Sequence, residues 1–256
     1  MKNIFVLAIL FLLVACSGGG SYHAVELIAH GGGEINDKTY TNSREALEKS
    51  VADGYRYIEI DFSFTADSVL VAAYDWRMFN RITGYEHKGD TAPTLAEFTQ
   101  RRIHGEYTPL TAAELNDYFE SNESLYLVTD KVSTPAVLAA YFPRLKERMV
   151  VEAFTYPHYE ELCAAGYYRV LYSVLAVDDF YDNVKKHLLQ HWFYPGRKIE
   201  WIATHYTAVN YRIYKILDNL CDFNIAAYTV NDWSLIPESK LNRVKMIYTE
   251  KIKPVR

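Results

Sequence analysis

The chain has 256 residues, half of them hydrophobic and 23% charged, with 27 Lys plus Arg against 32 Asp plus Glu for a net charge of −5. This composition excludes a disordered or fibrous chain, which would show low hydrophobicity or periodic glycine. The negative charge leaves no cationic surplus to neutralise phosphates, so nucleic acid is not an expected partner.

At the N-terminus, Lys2 precedes an unbroken apolar run of twelve residues, Ile4 to Ala15. A bilayer-crossing helix needs about 20 such residues, whereas a run of this size fits the core of a signal peptide. The run ends in Leu13-Val14-Ala15-Cys16-Ser17, which resembles the lipobox of bacterial lipoproteins, and Ser17-Gly18-Gly19-Gly20-Ser21 follows as a tether. Residues 1–15 are therefore expected to be a lipoprotein signal peptide and 16–22 a linker. Diacylated Cys16 would then anchor an exported domain at a bacterial cell envelope, periplasmic or outer-membrane-associated. Stable anchoring takes more than one acyl chain. A soluble secreted protein is the alternative.

From residue 23 onward, short apolar or β-branched runs alternate with amphipathic stretches, the pattern of βα units wound into a parallel sheet. Strands are expected near 25–30, 55–61, 124–130, 149–154, 168–174, 199–205, 223–230 and 244–249, and helices near 43–53, 111–120, 134–147, 156–165, 178–191, 207–221 and 232–241. Eight such strands fit one (β/α)8 barrel, a fold that commonly takes about 250 residues. Val69–Tyr74 is strand-like but follows the second strand region after only four residues, Thr65–Ser68. A parallel crossover needs a dozen or more residues, so this segment must turn back as an antiparallel hairpin. It opens an insertion of about 66–110. Cys163 and Cys221 lie in expected helices without metal-ligand spacing and read as buried thiols. His187 and His191 are four apart, but Lys185 and Lys186 adjoin them and the acid of an HExxH motif is missing, so they read as a solvated helix face.

In such a barrel the chemistry sits at the C-terminal ends of the strands. Those ends carry His30, Glu59 with Asp61, Asp130 with Lys131, Glu152, Ser173, His205, Thr229 with Asn231, and Thr249 with Glu250. Glu59 and Asp61 are two apart and share one side of their strand. Two carboxylates on one side repel unless a cation lies between them. That cation is either a hard divalent ion such as Mg²⁺ or Ca²⁺, suited to all-oxygen ligation, or a neighbouring Lys or Arg.

Several ordered motifs resemble the glycerophosphodiester phosphodiesterase family along the whole of the chain after residue 22. Ile28-Ala29-His30-Gly31-Gly32 is similar to the family's opening AHRG, Thr41-Asn42-Ser43 with Ala46 to its ENT…A, and Gly54 to Asp61 to its G…iExD. Thr65-Ala66-Asp67 and Val71 to Asp75 resemble TkDg…VvxHD, and Thr108-Pro109-Leu110 with Glu114-Leu115 resembles pTLeEl. Tyr228 to Asn231, and Ile247 to Glu250 with Pro254, resemble the closing WTvN and iiTDxP. The resemblance implies a β/α barrel with a hairpin-borne insertion and a divalent cation on Glu59 and Asp61. It implies His30 as one of two proton-exchanging histidines, and a small phosphodiester as substrate. Asn42, Lys131, Glu152 and His205 are expected to contact that substrate.

The chain departs from the family at its chemistry. Gly31 stands where the family has a phosphate-binding Arg, Thr41 replaces a Glu, and Tyr74 occupies the place of the second histidine, with a phenol whose ordinary pKa is near 10. The family's third metal carboxylate lies in an ExK pattern. Matching on Lys131 puts Thr129 there, and matching on the acid chooses Asp130. Strand alternation lets only one of the two face inward, so Asp130 is preferred, with a bulge to admit it, and Glu152 is the substitute. Two functions follow. One is metal-dependent hydrolysis of glycerophosphodiesters or a related phosphodiester, with His30 and Tyr74 at the reacting atoms. The other is a catalytically impaired barrel that binds a phosphorylated or carbohydrate ligand. Oligomeric state is left open by the sequence.

Overall fold

The computed structural model describes residues 25–174, 199–209, 223–236 and 244–255. Each apolar run between turn signals becomes a strand: β1 (Glu26–Ala29), β2 (Tyr57–Phe64), β3 (Leu70–Ala72), β4 (Tyr126–Asp130), β5 (Met149–Ala153), β6 (Arg169–Val174), β7 (Trp201–His205), β8 (Asn224–Tyr228) and β9 (Val244–Thr249). All but β3 run parallel, and the β1–β2 and β1–β9 pairings close the eight into a barrel. Ile28, Tyr57, Val128, Val150, Leu171, Ala203, Ala226 and Met246, one from each barrel strand, fill the interior. Residues of opposite parity, among them Ile58, Ile60, Leu127, Val151 and Ile247, pack outward against Leu47, Leu115, Phe119 and Leu162 of the surrounding helices.

The described helices are α1 (Arg44–Asp53), α2 (Trp76–Ile82), α3 (Leu95–Gln100), α4 (Ala112–Ser121), α5 (Pro135–Tyr141), α6 (Tyr156–Ala164) and the short α7 (Tyr206–Val209). Local signals set their ends. The Ser43 hydroxyl accepts from the Ala46 N–H, and Gly54 closes α1 in the left-handed region at φ 100°. Thr111 and Glu114 form a capping box at the start of α4. The helix expected at 134–147 is two pieces: α5 ends one residue before Phe142, which precedes Pro143, and a 3₁₀ turn follows at Lys146–Arg148. Proline removes the backbone donor a continuing helix needs and disfavours helical geometry in the residue before it. Cys16, Cys221, His187, His191 and the helix expected at 178–191 lie outside the described residues, as does most of 207–221. The described part of 232–241 holds a 3₁₀ turn at Trp233–Leu235. Cys163 is partly buried on α6.

β2 outruns its neighbours. Its last three residues leave the barrel and pair antiparallel with β3, Phe62 with Ala72, Ser63 with Val71 and Phe64 with Leu70. The segment expected to fold back as a hairpin does so. The insertion beyond it contains two helices the sequence pattern did not announce, α2 and α3. Each is six or seven residues long and owes its start to a cap: Asp75 accepts from the Met78 N–H at 2.6 Å, and Thr94 and Glu97 form a capping box. Val71, Ala73, Phe79, Phe98, Ile103 and Tyr107 give this insertion its own small core.

Candidate active site

Strand alternation builds the site one pleat above the barrel interior. Stepping two residues along each strand from the interior layer leads from Ile28 to His30, Tyr57 to Glu59 and then Asp61, Val128 to Asp130, Val150 to Glu152, Leu171 to Ser173, Ala226 to Tyr228 and Met246 to Tyr248. His30, Glu59, Asp130, Glu152, Ser173, Tyr228 and Tyr248 line a cavity of about 210 Å³ at the C-terminal end of the barrel, with Tyr40, Tyr74, Phe154 and Thr229 completing its wall.

Asp130 needs no bulge. β2 and β4 pair in regular register, Glu59 opposite Val128 and Asp61 opposite Asp130, so Asp130 shares the inner face and Thr129 points outward. One oxygen from each of Glu59, Asp61 and Asp130 falls within 4.8 Å of the others. Each carboxylate is oriented by a backbone or amide donor: the Gly31 N–H donates to Glu59 Oε2 at 2.6 Å, Asn42 Nδ2 to Asp61 Oδ2 at 2.9 Å, and the Lys131 N–H to Asp130 Oδ1 at 2.6 Å. Among the described residues, Glu59 Oε1 is buried without a partner. Burial, reinforced by the Asp130 charge, pushes the Asp61 carboxyl up to about 7, and burial with the Asp61 charge pushes Glu59 well up. Carboxylates in a dry site resist ionisation unless a cation compensates them. A clustered all-oxygen donor set with one orphaned oxygen fits a hard divalent ion.

His30 sits just past the end of β1 in a glycine-rich turn whose Gly31, Gly32 and Gly33 all have positive φ. Its Nδ1 lies 3.1 Å from Thr229 Oγ1 and 3.9 Å from Glu250 Oε1, and Asn231 Nδ2 holds the other Glu250 oxygen at 2.9 Å. Burial lowers the imidazole to about 4, so it is neutral at pH 7.

The remaining expected site residues divide. Glu152 lines the cavity, accepts a hydrogen bond from the Tyr248 hydroxyl, and is pushed by burial and the Asp130 charge up to about 8. Tyr74 lines it from the end of the hairpin arm. Lys131, in the left-handed region at φ 66°, swings back from the end of β4: its ammonium sits 3.2 Å from the centroid of the Tyr74 ring, donates to the Tyr74 carbonyl and lies 3.7 Å from Asp61 Oδ1. Two of the expected substrate contacts are not among the residues that line this cavity. Both polar ends of the Asn42 amide are spent on Asp61, through its carboxylate and its N–H, so Asn42 orients a carboxylate rather than facing the cavity. His205 has inner parity but lies outside the lining, its Nδ1 2.8 Å from Thr207 Oγ1 and its ring against Tyr206. Tyr248 and Phe154, unremarked in the sequence, were reachable by the same alternation. Tyr40 carries no sequence signal, because it comes from a loop.

No protein-family model matches the chain, and no curated protein sequence matches it. Solved structures do. The fold is similar to that of a glycerophosphodiester phosphodiesterase from Parabacteroides distasonis ATCC 8503, with a TM-score of 0.62 at 19% identity over 88% of this chain and 92% of that one. An Oleispira antarctica phosphodiesterase, in complex with the product sn-glycerol-3-phosphate, gives 0.63 at 18% identity over 88% and 92%. A glycerophosphodiester phosphodiesterase from Thermotoga maritima gives 0.59 at 16% identity over 90% and 96%.

Proposed function

We propose that this chain is a member of the glycerophosphodiester phosphodiesterases, a metal-dependent hydrolase that cleaves a glycerophosphodiester or a related small phosphodiester to an alcohol and a phosphomonoester. The observation that carries the reading is the trio Glu59, Asp61 and Asp130, with Glu59 Oε1 unpartnered, in one barrel mouth with a neutral imidazole. The fold shared with known phosphodiesterases supports it.

Glu59, Asp61 and Asp130 would hold Mg²⁺ or Ca²⁺, which when bound supplies the positive charge that makes a phosphodiester electrophilic. The chain's own groups then handle protons and orientation. With Nδ1 engaged by Thr229, the His30 proton exchange falls to Nε2. A neutral imidazole can take the proton of the attacking oxygen and return one to the departing alkoxide as the P–O bond breaks. The Tyr74 hydroxyl, raised above its ordinary value by burial and by the Asp61 charge, stays protonated and can donate a hydrogen bond but does not serve as a base. The Lys131 ammonium adds a fixed positive charge beside Asp61. The lipobox-like residues around Cys16 support a place for this chemistry, a lipid anchor at a bacterial envelope, which Cys16→Ala should release into the soluble fraction.

The test is hydrolysis of glycerophosphocholine and bis-nitrophenyl phosphate with Mg²⁺, Ca²⁺ or EDTA. Turnover that EDTA abolishes, and that falls about 10²- to 10⁴-fold in His30→Ala, is the expected result. Absence of turnover with either ion would overturn the reading.

A further inference from the structure

We propose that Tyr40 is a positioning residue: its ring clamps and covers the His30 imidazole, and Gly31 is the glycine that lets it reach there. The catalytic half of this inference rests on the reading of His30 as the proton carrier.

Tyr40 adopts φ 54°, a left-handed conformation that is a genuine outlier for a bulky side chain. Such strain persists only where the surroundings over-determine it, and it gathers at functional sites. The surroundings here are specific. A Cβ at position 31, itself at φ 58°, would stand 2.8 Å from the Tyr40 Cα and 3.3 Å from its backbone nitrogen. Real Cβ atoms essentially never come within 3.0 Å of such an atom, so any other residue at 31 forces the packing of this turn against the Tyr40 backbone to shift.

What this close approach achieves is contact with His30. The two rings meet edge to face with centroids 4.5 Å apart, Tyr248 meets His30 in the same way at 5.7 Å, and Thr229 holds Nδ1 at 3.1 Å. Three contacts from three elements leave the imidazole one orientation. Tyr40 also spans the gap to Tyr74, ring centroids 5.7 Å apart, so it stands between the imidazole and the end of the hairpin arm while lining the cavity. A catalytic ring misplaced by about 1 Å can cost about 10²-fold in rate, which is the scale of what this clamp protects.

The experiment pairs turnover with a readout that needs none. In Tyr40→Ala, kcat should fall at least about tenfold with KM changed less than about threefold, and Tyr40→Phe, which restores the ring, should recover most of the loss. Independently, reaction of His30 with diethyl pyrocarbonate, followed by peptide mass spectrometry, should be slow in the wild type and in Tyr40→Phe, and several-fold faster in Tyr40→Ala. Gly31→Ala, which forces that packing to shift without removing the ring, should also speed the reaction and serves if Tyr40→Ala does not fold. Equal His30 reactivity in wild type, Tyr40→Ala and Gly31→Ala would overturn the clamp even if the wild type hydrolyses phosphodiesters. The expected order of reactivity in a protein without turnover would sustain the clamp and sink the hydrolase reading instead.

Discussion

Tyr74, at the end of the hairpin arm, meets the site through its ring and its backbone carbonyl. A histidine there would offer a second proton carrier near neutral pH. The phenol instead presents a ring face to the Lys131 ammonium and a backbone carbonyl that the same ammonium bonds. Cation–ring contacts of this kind contribute roughly 0.5–2 kcal/mol, depending on how dry the pair is. The hydroxyl, raised above its ordinary value by burial, adds no base. Ring and hydroxyl therefore separate experimentally. Tyr74→Leu, which removes the aromatic face, should loosen Lys131 and lower kcat/KM by about twofold to thirtyfold, the rate equivalent of that contact energy. Tyr74→Phe should lose less. Comparing kcat/KM of the two variants on one phosphodiester decides the matter, and a Tyr74→Phe loss as large as that of Tyr74→Leu would return the role to the hydroxyl.

At the scale of elements, the strands were legible because a parallel barrel strand is short, apolar and bounded by turn residues, and the hairpin because four residues cannot make a parallel crossover. Alternation did the rest: once Val128 faces inward, Asp130 must as well, and the outward Thr129 hydroxyl is left buried without a partner among the described residues. α2 and α3 were not legible, since six or seven residues hold too few turns to show a helical period and are fixed by the Asp75 and Thr94 caps. Tyr40 escaped for a different reason, because a left-handed loop residue has no periodicity at all. The alternation argument predicts opposite effects of neighbouring substitutions. Thr129→Val replaces an unsatisfied buried hydroxyl with a methyl of nearly the same shape and should leave stability unchanged or raise it by up to about 1 kcal/mol. Asp130→Asn should abolish the rise in melting temperature that Mg²⁺ gives the wild type, because a ligand that binds only the folded state stabilises it by mass action. Thermal unfolding of both variants with and without Mg²⁺ is the measurement. A lost Mg²⁺ response in Thr129→Val with a normal one in Asp130→Asn would show that the register is wrong.

For the whole molecule, closing the barrel gathers onto one rim carboxylates that the unfolded chain keeps apart, and this ties folding to pH. Asp61 and Glu152 are raised by burial to about 7 and about 8, and Glu59 is raised in the same direction. A carboxyl with a folded pKa above its unfolded value of about 4 binds its proton more tightly when folded. Its contribution to stability is complete below about pH 4 and is lost as the pH climbs through the folded values. His30, lowered to about 4, acts oppositely: its contribution is present above the unfolded value of about 6.5 and is lost as the pH falls toward 4. Between pH 8 and pH 7 the imidazole is mostly neutral in both states and the acids dominate the slope. Metal-free protein should therefore gain stability on acidification across that window, by up to about 1.4 kcal/mol per pH unit for each extra proton the folded state holds. Saturating Mg²⁺ should flatten or reverse the trend, because the ion occupies the deprotonated Glu59, Asp61 and Asp130 and competes with their protons. Urea denaturation at half-unit pH steps, in EDTA and in excess Mg²⁺, measures both slopes. Stability that rises with pH from 7 to 8 in EDTA would mean that these carboxylates are already compensated by the chain itself, and that the rim does not require a cation.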